Sequence, residues 1–201
     1  MLAGLVGLAG SVIGGLASGL ASYWGSKRAA KDSINAHKEV INEQKEKEKE
    51  EQDKSVRTSA RIIIIDTFTA VREIIRIRNQ NEKPNVGRAP ENISICGGFS
   101  MHIANLSENL TFDELVLINK LYGLMDRIKH DISTVDYMKD SYDKCEFSAD
   151  ILGLELFGGK YFNIAKLTDY RVMIYEVLID GMEHSYKNLF RKIHQLAEMH
   201  N

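Results

Sequence analysis

The chain has 201 residues, 26 Lys+Arg against 28 Asp+Glu, and a formal net charge of −2. A hydrophobic fraction of 44% with only 2 prolines excludes a disordered or collagen-like chain, and the charge balance excludes a strongly basic nucleic-acid binder. Two cysteines, Cys96 and Cys145, with no CxxC and no Cys/His spacing, exclude a disulfide framework and a zinc motif.

No side chain between Met1 and Ser26 is charged, and seven of the 15 glycines lie there. A helix over this stretch would be roughly 39 Å long against a bilayer core of about 30 Å. Tyr23 and Trp24 follow at the place of an aromatic belt, then Lys27, Arg28 and Lys31. The sequence therefore predicts a transmembrane helix over residues 1–26, with the membrane interface at Tyr23, Trp24, Lys27 and Arg28. The positive flank places the C-terminal side in the cytoplasm of a single-pass inner-membrane protein. A secretory signal peptide is the competing reading, although only the α-amino group would supply its cationic start. Ala3, Gly7, Ser11, Gly15 and Gly19 repeat every four residues, a small-residue strip that predicts helix packing and self-association in lipid.

Residues 27–61 read as a charged helical stalk, with ten basic and eight acidic residues and neither Gly nor Pro. Between Asn42 and Ser55 there is no apolar residue, and Ile34, Val40, Ile41 and Val56 are sparse for a coiled coil. A disordered charged linker is the alternative.

Residues 62–201 read as a helical domain. Ile64, Phe68, Val71 and Ile75 recur at helical spacing, predicting a helix to about Asn79 that stops in a loop near Asn81–Pro90. Ile93-Ser94-Ile95 alternates like a short strand. Thr111-Phe112-Asp113-Glu114 reads as a capping box, with Leu110 and Leu115 as its staple. Leu115, Ile118, Leu121, Tyr122, Met125, Ile128 and Ile132 follow as a core stripe. Leu154–Phe162 has two apolar runs around Gly158-Gly159, which suit a small hairpin or else a helix break. A last helix is predicted over about Thr168–Ala197, with Val172, Tyr175, Ile179, Met182, Tyr186, Leu189, Ile193 and Leu196 inward. The expected fold is mainly α: a bundle of three to four helices behind the span and stalk, with at most a minor β-hairpin.

No catalytic motif appears, so an enzyme, a cofactor and a metal are not expected. The six histidines show no metal spacing and read as surface or packing residues. Glu155 stands within an apolar run, where burial would raise its pKa. Arg61, Arg72 and Arg76 on one helix are candidates for an anionic ligand, caged around an oligomer axis. The competing reading is a solvated face paired with Asp66 and Glu73. Beyond Arg61, sixteen basic and twenty acidic residues make no glove for duplex DNA.

The order of these features resembles small single-span bacterial membrane effectors of anti-phage defence, such as those of the Hailong kind. The resemblance runs through the Gly/Ala-rich span, Tyr23-Trp24, the basic flank, the charged helix, then IIIIDTFTAVREII at 62–75 and LTFDELVLINKLYGLMDRI at 110–128. It implies a homo-oligomeric channel in the bilayer, gated by a cytosolic helical domain. It further implies a nucleotide or oligonucleotide signal made by a partner nucleotidyltransferase. The first 50 residues are also similar to the start of small-phage DNA pilot proteins, which implies a phage structural or DNA-delivery role. A non-conducting anchored scaffold is the third reading.

Overall fold

A computed structural model describes residues 2–81, 95–134, 139–167 and 175–198, with backbone alone at 2–17, 20–21, 80–81, 139–142 and 167. Among the described residues the chain is mainly helical and has no strand. The helices are α1 (Leu2–Asn81), α2 (Phe99–Asn105), α3 (Phe112–Ser133), α4 (Lys139–Phe157), α5 (Tyr161–Leu167), α6 (Tyr175–Gly181) and α7 (His184–Glu198). A 3₁₀ turn, Gly158–Lys160, joins α4 to α5. The chain divides into two units, Met1–Glu51 and Gln52–Asn201.

The first unit is the N-terminal part of α1. Among the described residues no helix is long and apolar enough to cross a membrane. This corrects the expected transmembrane helix over residues 1–26, and with it the single-pass inner-membrane location, the cytoplasmic topology and the channel. The described side chains of α1 begin at residue 18, and from residue 27 to 51 they include seven basic and seven acidic groups, whose charges are costly to place in hydrocarbon. The side chains of Ala3, Gly7, Ser11 and Gly15 lie outside the described residues. Gly19 is exposed, as are Tyr23, Trp24, Lys27 and Arg28, and Lys27 Nζ sits 5.9 Å over the Trp24 ring. Residues 22–52 are exposed throughout.

The second unit has one apolar core. Its first element is the C-terminal part of α1, which buries Val56, Ala60, Ile63, Thr67, Ala70, Ile74 and Ile77. Those positions alternate steps of four and three, so they stay on one helix face. Of the expected stripe, Val71 and Ile75 are fully buried and Ile64 and Phe68 are half-buried against the core, while Ile65 is exposed.

Thr111 caps α3 as expected: Glu114 N donates to Thr111 Oγ1 at 3.3 Å, and Thr111 N donates to Glu114 Oε2 at 2.7 Å. Ile118, Leu121, Tyr122, Met125, Ile128 and Ile132 are buried, and Leu115 packs against the core. α3 packs on α4, whose Cys145, Ala149, Leu152, Leu156 and Phe157 face inward.

Gly158-Gly159 is a helix break, which corrects the hairpin reading. Gly158 takes φ +57°, the left-handed conformation that ends helices and that other residues resist. The predicted last helix is also corrected. It breaks between α6 and α7, where Glu183 N donates to Leu156 O at 2.8 Å instead of continuing the ladder. The stripe nevertheless holds its phase, since Ile179, Met182, Tyr186, Leu189 and Ile193 are all buried. The start at Thr168 and Val172, the loop 82–90 and the residues Ile93-Ser94 lie outside the described residues.

Gly153 carries a tight packing constraint against a ring. A Cβ there would run into the Tyr161 ring, which is fully buried and whose hydroxyl donates to Ile74 O at 3.4 Å. Gly153→Ala should therefore cost about 1–3 kcal/mol by overpacking. Gly159→Ala, with open space around its Cβ, should cost a few tenths at most. Equal chemical-denaturation midpoints for the two variants would contradict this packing.

Candidate functional site

The core stripe of α1 has a polar flank. Ser59, Asp66 and Glu73 recur every seventh residue and are all buried. A buried polar group is costly unless it is hydrogen-bonded, so each of the three needs partners. Glu73 takes Arg76, whose Nε donates to Oε2 at 2.8 Å. Ser59 and Asp66 instead face α2, α3 and the segment entering α2.

Asp66 Oδ2 accepts from the Tyr122 hydroxyl at 2.9 Å and from the Cys96 backbone N–H at 3.1 Å. Tyr122 is fully buried and stacked on Phe99 at 4.6 Å. Burial, then the Asp66 carboxylate, pushes the Tyr122 hydroxyl far above its ordinary value of 10.0. Ser59 Oγ accepts from Asn105 Nδ2 at 3.0 Å and lies 3.2 Å from His102 Nδ1. His102 Nε2 lies 3.4 Å from Cys96 Sγ. One connected polar chain thus runs Asn105, Ser59, His102, Cys96, Asp66, Tyr122, drawn from four separate segments.

That chain holds a thiol, an imidazole in contact with it and groups that fix the imidazole, the parts of a nucleophile and its base. Sequence reading set His102 aside as a packing residue. The available signal was Cys96-Gly97-Gly98 followed by His102, but the orienting Ser59 lies 43 residues upstream of the histidine.

The arginine candidates fall apart in space. Arg61 is exposed and its Nε donates to Ala197 O at 3.1 Å, at the end of α7. Arg72 is exposed, eleven residues further on and roughly 16 Å along the helix. Arg76 is buried beside Glu73. Within one chain they line no common cage. Arg78 is instead the bridging cation, 2.6 Å from Glu146 and 3.2 Å from Asp150, with its guanidinium 5.0 Å from the Phe162 ring centroid.

Glu155 also departs from expectation. Burial raises its pKa, but hydrogen bonds from Lys120 Nζ at 2.6 Å and Tyr186 OH at 2.8 Å outweigh that and hold it below the ordinary 4.5. Among the described residues no group of histidine, cysteine and carboxylate side chains could hold a metal.

The fold and site define a mainly helical protein with a part-buried thiol–imidazole contact. No family model, curated protein or solved structure matches the chain. The resemblance to anti-phage effectors stands on the sequence pattern alone.

Proposed function

We propose that the chain is a non-enzymatic scaffold that self-associates through the helical unit Met1–Glu51, each copy carrying the folded unit Gln52–Asn201. The observation that carries this reading is the exposure of every residue from 22 to 52. A stretch of helix whose described side chains are all exposed lacks the packing that supplies most helical stability. Tyr23, Ala30, Ile34 and Ile41 fall within an arc of about 40° on this unit, with Tyr23 and Ile41 five turns apart. Tyr23 is 62% exposed, Ile34 56% and Ile41 47%. Burying such a side chain is worth about 1.5–3 kcal/mol, so a second copy laid along this stripe gains several contacts of that size. The seven basic and seven acidic residues between Lys27 and Glu51 give the pair no net repulsion. Gly19, about 40° from Tyr23 around the helix, has nothing within 4 Å of a Cβ built on it, which suits a close neighbour.

The sequence suggests an anchored scaffold; the scaffold proposed here differs in needing no bilayer, and it needs no anion held by Arg61, Arg72 and Arg76. Light scattering on the full chain should give a multiple of 22.7 kDa. Ile34→Lys with Ile41→Lys should return it toward the single-chain mass without changing the melting of the folded unit. A monomeric wild type, or a double variant that stays assembled, would overturn the reading.

A further inference from the structure

Cys96 sits in a setting that Cys145 does not share. Cys145 is fully buried, and burial, followed by Asp131, pushes its thiol up to about 11. Cys96 is half-buried, and Cβ atoms built at the following Gly97 and Gly98 would meet nothing within 4 Å. Its sulfur lies 3.4 Å from His102 Nε2. Ser59 Oγ has two lone pairs and can accept from both Asn105 Nδ2 and the Nδ1–H of His102. In that tautomer Nε2 is the acceptor for the thiol proton. The Cys96 backbone is pinned from the other side by the hydrogen bond from its N–H to Asp66. Both nucleophile and base are therefore held, with His102 buried and Cys96 half-buried.

We propose that Cys96 is a reversible S-thiolation site, with His102 as its base, that takes the disulfides of low-molecular-weight thiols. His102 Nε2 accepts the Cys96 proton, and the sulfur attacks one sulfur of the small disulfide. The S–S bond of the reagent breaks, a mixed disulfide forms on Cys96, and the departing thiolate takes the proton back from His102 to leave as a free thiol. Ser59 Oγ faces the Nδ1–H of the imidazolium formed along the way. Excess free thiol reverses the exchange.

The reduced full-length chain is incubated with oxidised glutathione near neutral pH and mapped by peptide mass spectrometry. Cys96 should carry the adduct at early times while Cys145 remains free. His102→Ala and His102→Gln should each slow the adduct at Cys96 about tenfold or more, because the proton acceptor is gone. Ser59→Ala should slow it by a smaller factor. Circular dichroism identifies any variant that fails to fold. For such a variant the wild-type comparison of the two cysteines, together with Ser59→Ala, decides. Equal rates at Cys96 and Cys145 in the folded wild type, or an unchanged Cys96 rate in folded His102 variants, would overturn the proposal.

Discussion

Asp66→Ala is expected to lower the stability of the folded unit by about 2–5 kcal/mol, one of the largest effects of any single polar substitution in this chain. Asp66 is 5% exposed and its Oδ2 accepts from two donors. Removing it strands the buried Tyr122 hydroxyl, at about 1–3 kcal/mol, and loses the charge-assisted hydrogen bond from the half-buried Cys96 N–H, at about 1.5–3 kcal/mol. For a protein of this size that loss lowers the melting temperature on the order of 5–15 °C. Asp66→Asn keeps an acceptor of similar shape and should lose clearly less. Tyr122→Phe removes the donor alone. A double-mutant cycle between Asp66→Ala and Tyr122→Phe should return a coupling of about 0.5–3 kcal/mol, since the two touch at 2.9 Å. An Asp66→Ala variant that melts within the error of wild type would show that the carboxylate is not the anchor between α1, α3 and the segment before α2. The same variant should also disturb Cys96 labelling, because Asp66 holds the cysteine backbone.

What the sequence reveals and conceals follows the range of the interactions concerned. The capping box at Thr111 and Glu114 is local: two side chains three residues apart satisfy each other, so both the helix start and its core stripe could be read directly. Helicity of residues 31–79 was also legible, from the absence of Gly and Pro. The exact inward face was less legible, because Ile62 through Ile65 offer apolar side chains in every direction, and of these Ile63 is the fully buried one. α4 was missed because its inner face uses Cys145, Ser148, Ala149 and Gly153, which carry little hydropathy but pack closely. The α6–α7 break was hidden because Met182 keeps the apolar stripe in phase across it. The relay was the least legible feature. Its members come from residues 59, 66, 96, 102, 105 and 122, and nothing in their spacing brings them together before the core has formed. For the apolar N-terminal stretch, hydrophobicity and an aromatic edge suggested a span.

Alkali should unfold the folded unit through its buried phenols and its buried thiol. Burial, aided by the neighbouring carboxylates Asp66, Asp150 and Glu155 respectively, holds Tyr122, Tyr161 and Tyr186 protonated well above their ordinary value of 10.0. Tyr175 is pushed up to about 12, and Cys145 from 9.0 to about 11. Each group binds its proton more tightly in the folded chain than in the unfolded one. Below the unfolded values both states hold the proton, and this contribution is fully present. Above about pH 9–10 the unfolded chain releases protons that the folded chain keeps, so stability falls as pH rises, until the folded values are passed. For a fully buried phenol the slope is about 1.4 kcal/mol per pH unit, and several such groups act together. Denaturation midpoints should thus be flat from neutrality to about pH 9 and fall steeply beyond pH 10. Phenolate absorbance and loss of helical circular dichroism should rise as one transition. Tyr186→Phe deletes one of these groups. It should lower stability near neutrality, where its hydrogen bond to Glu155 is lost, and shrink the alkaline slope. Tyrosines that ionise near pH 10 while the helical signal persists would show that these hydroxyls are not held in the core as described.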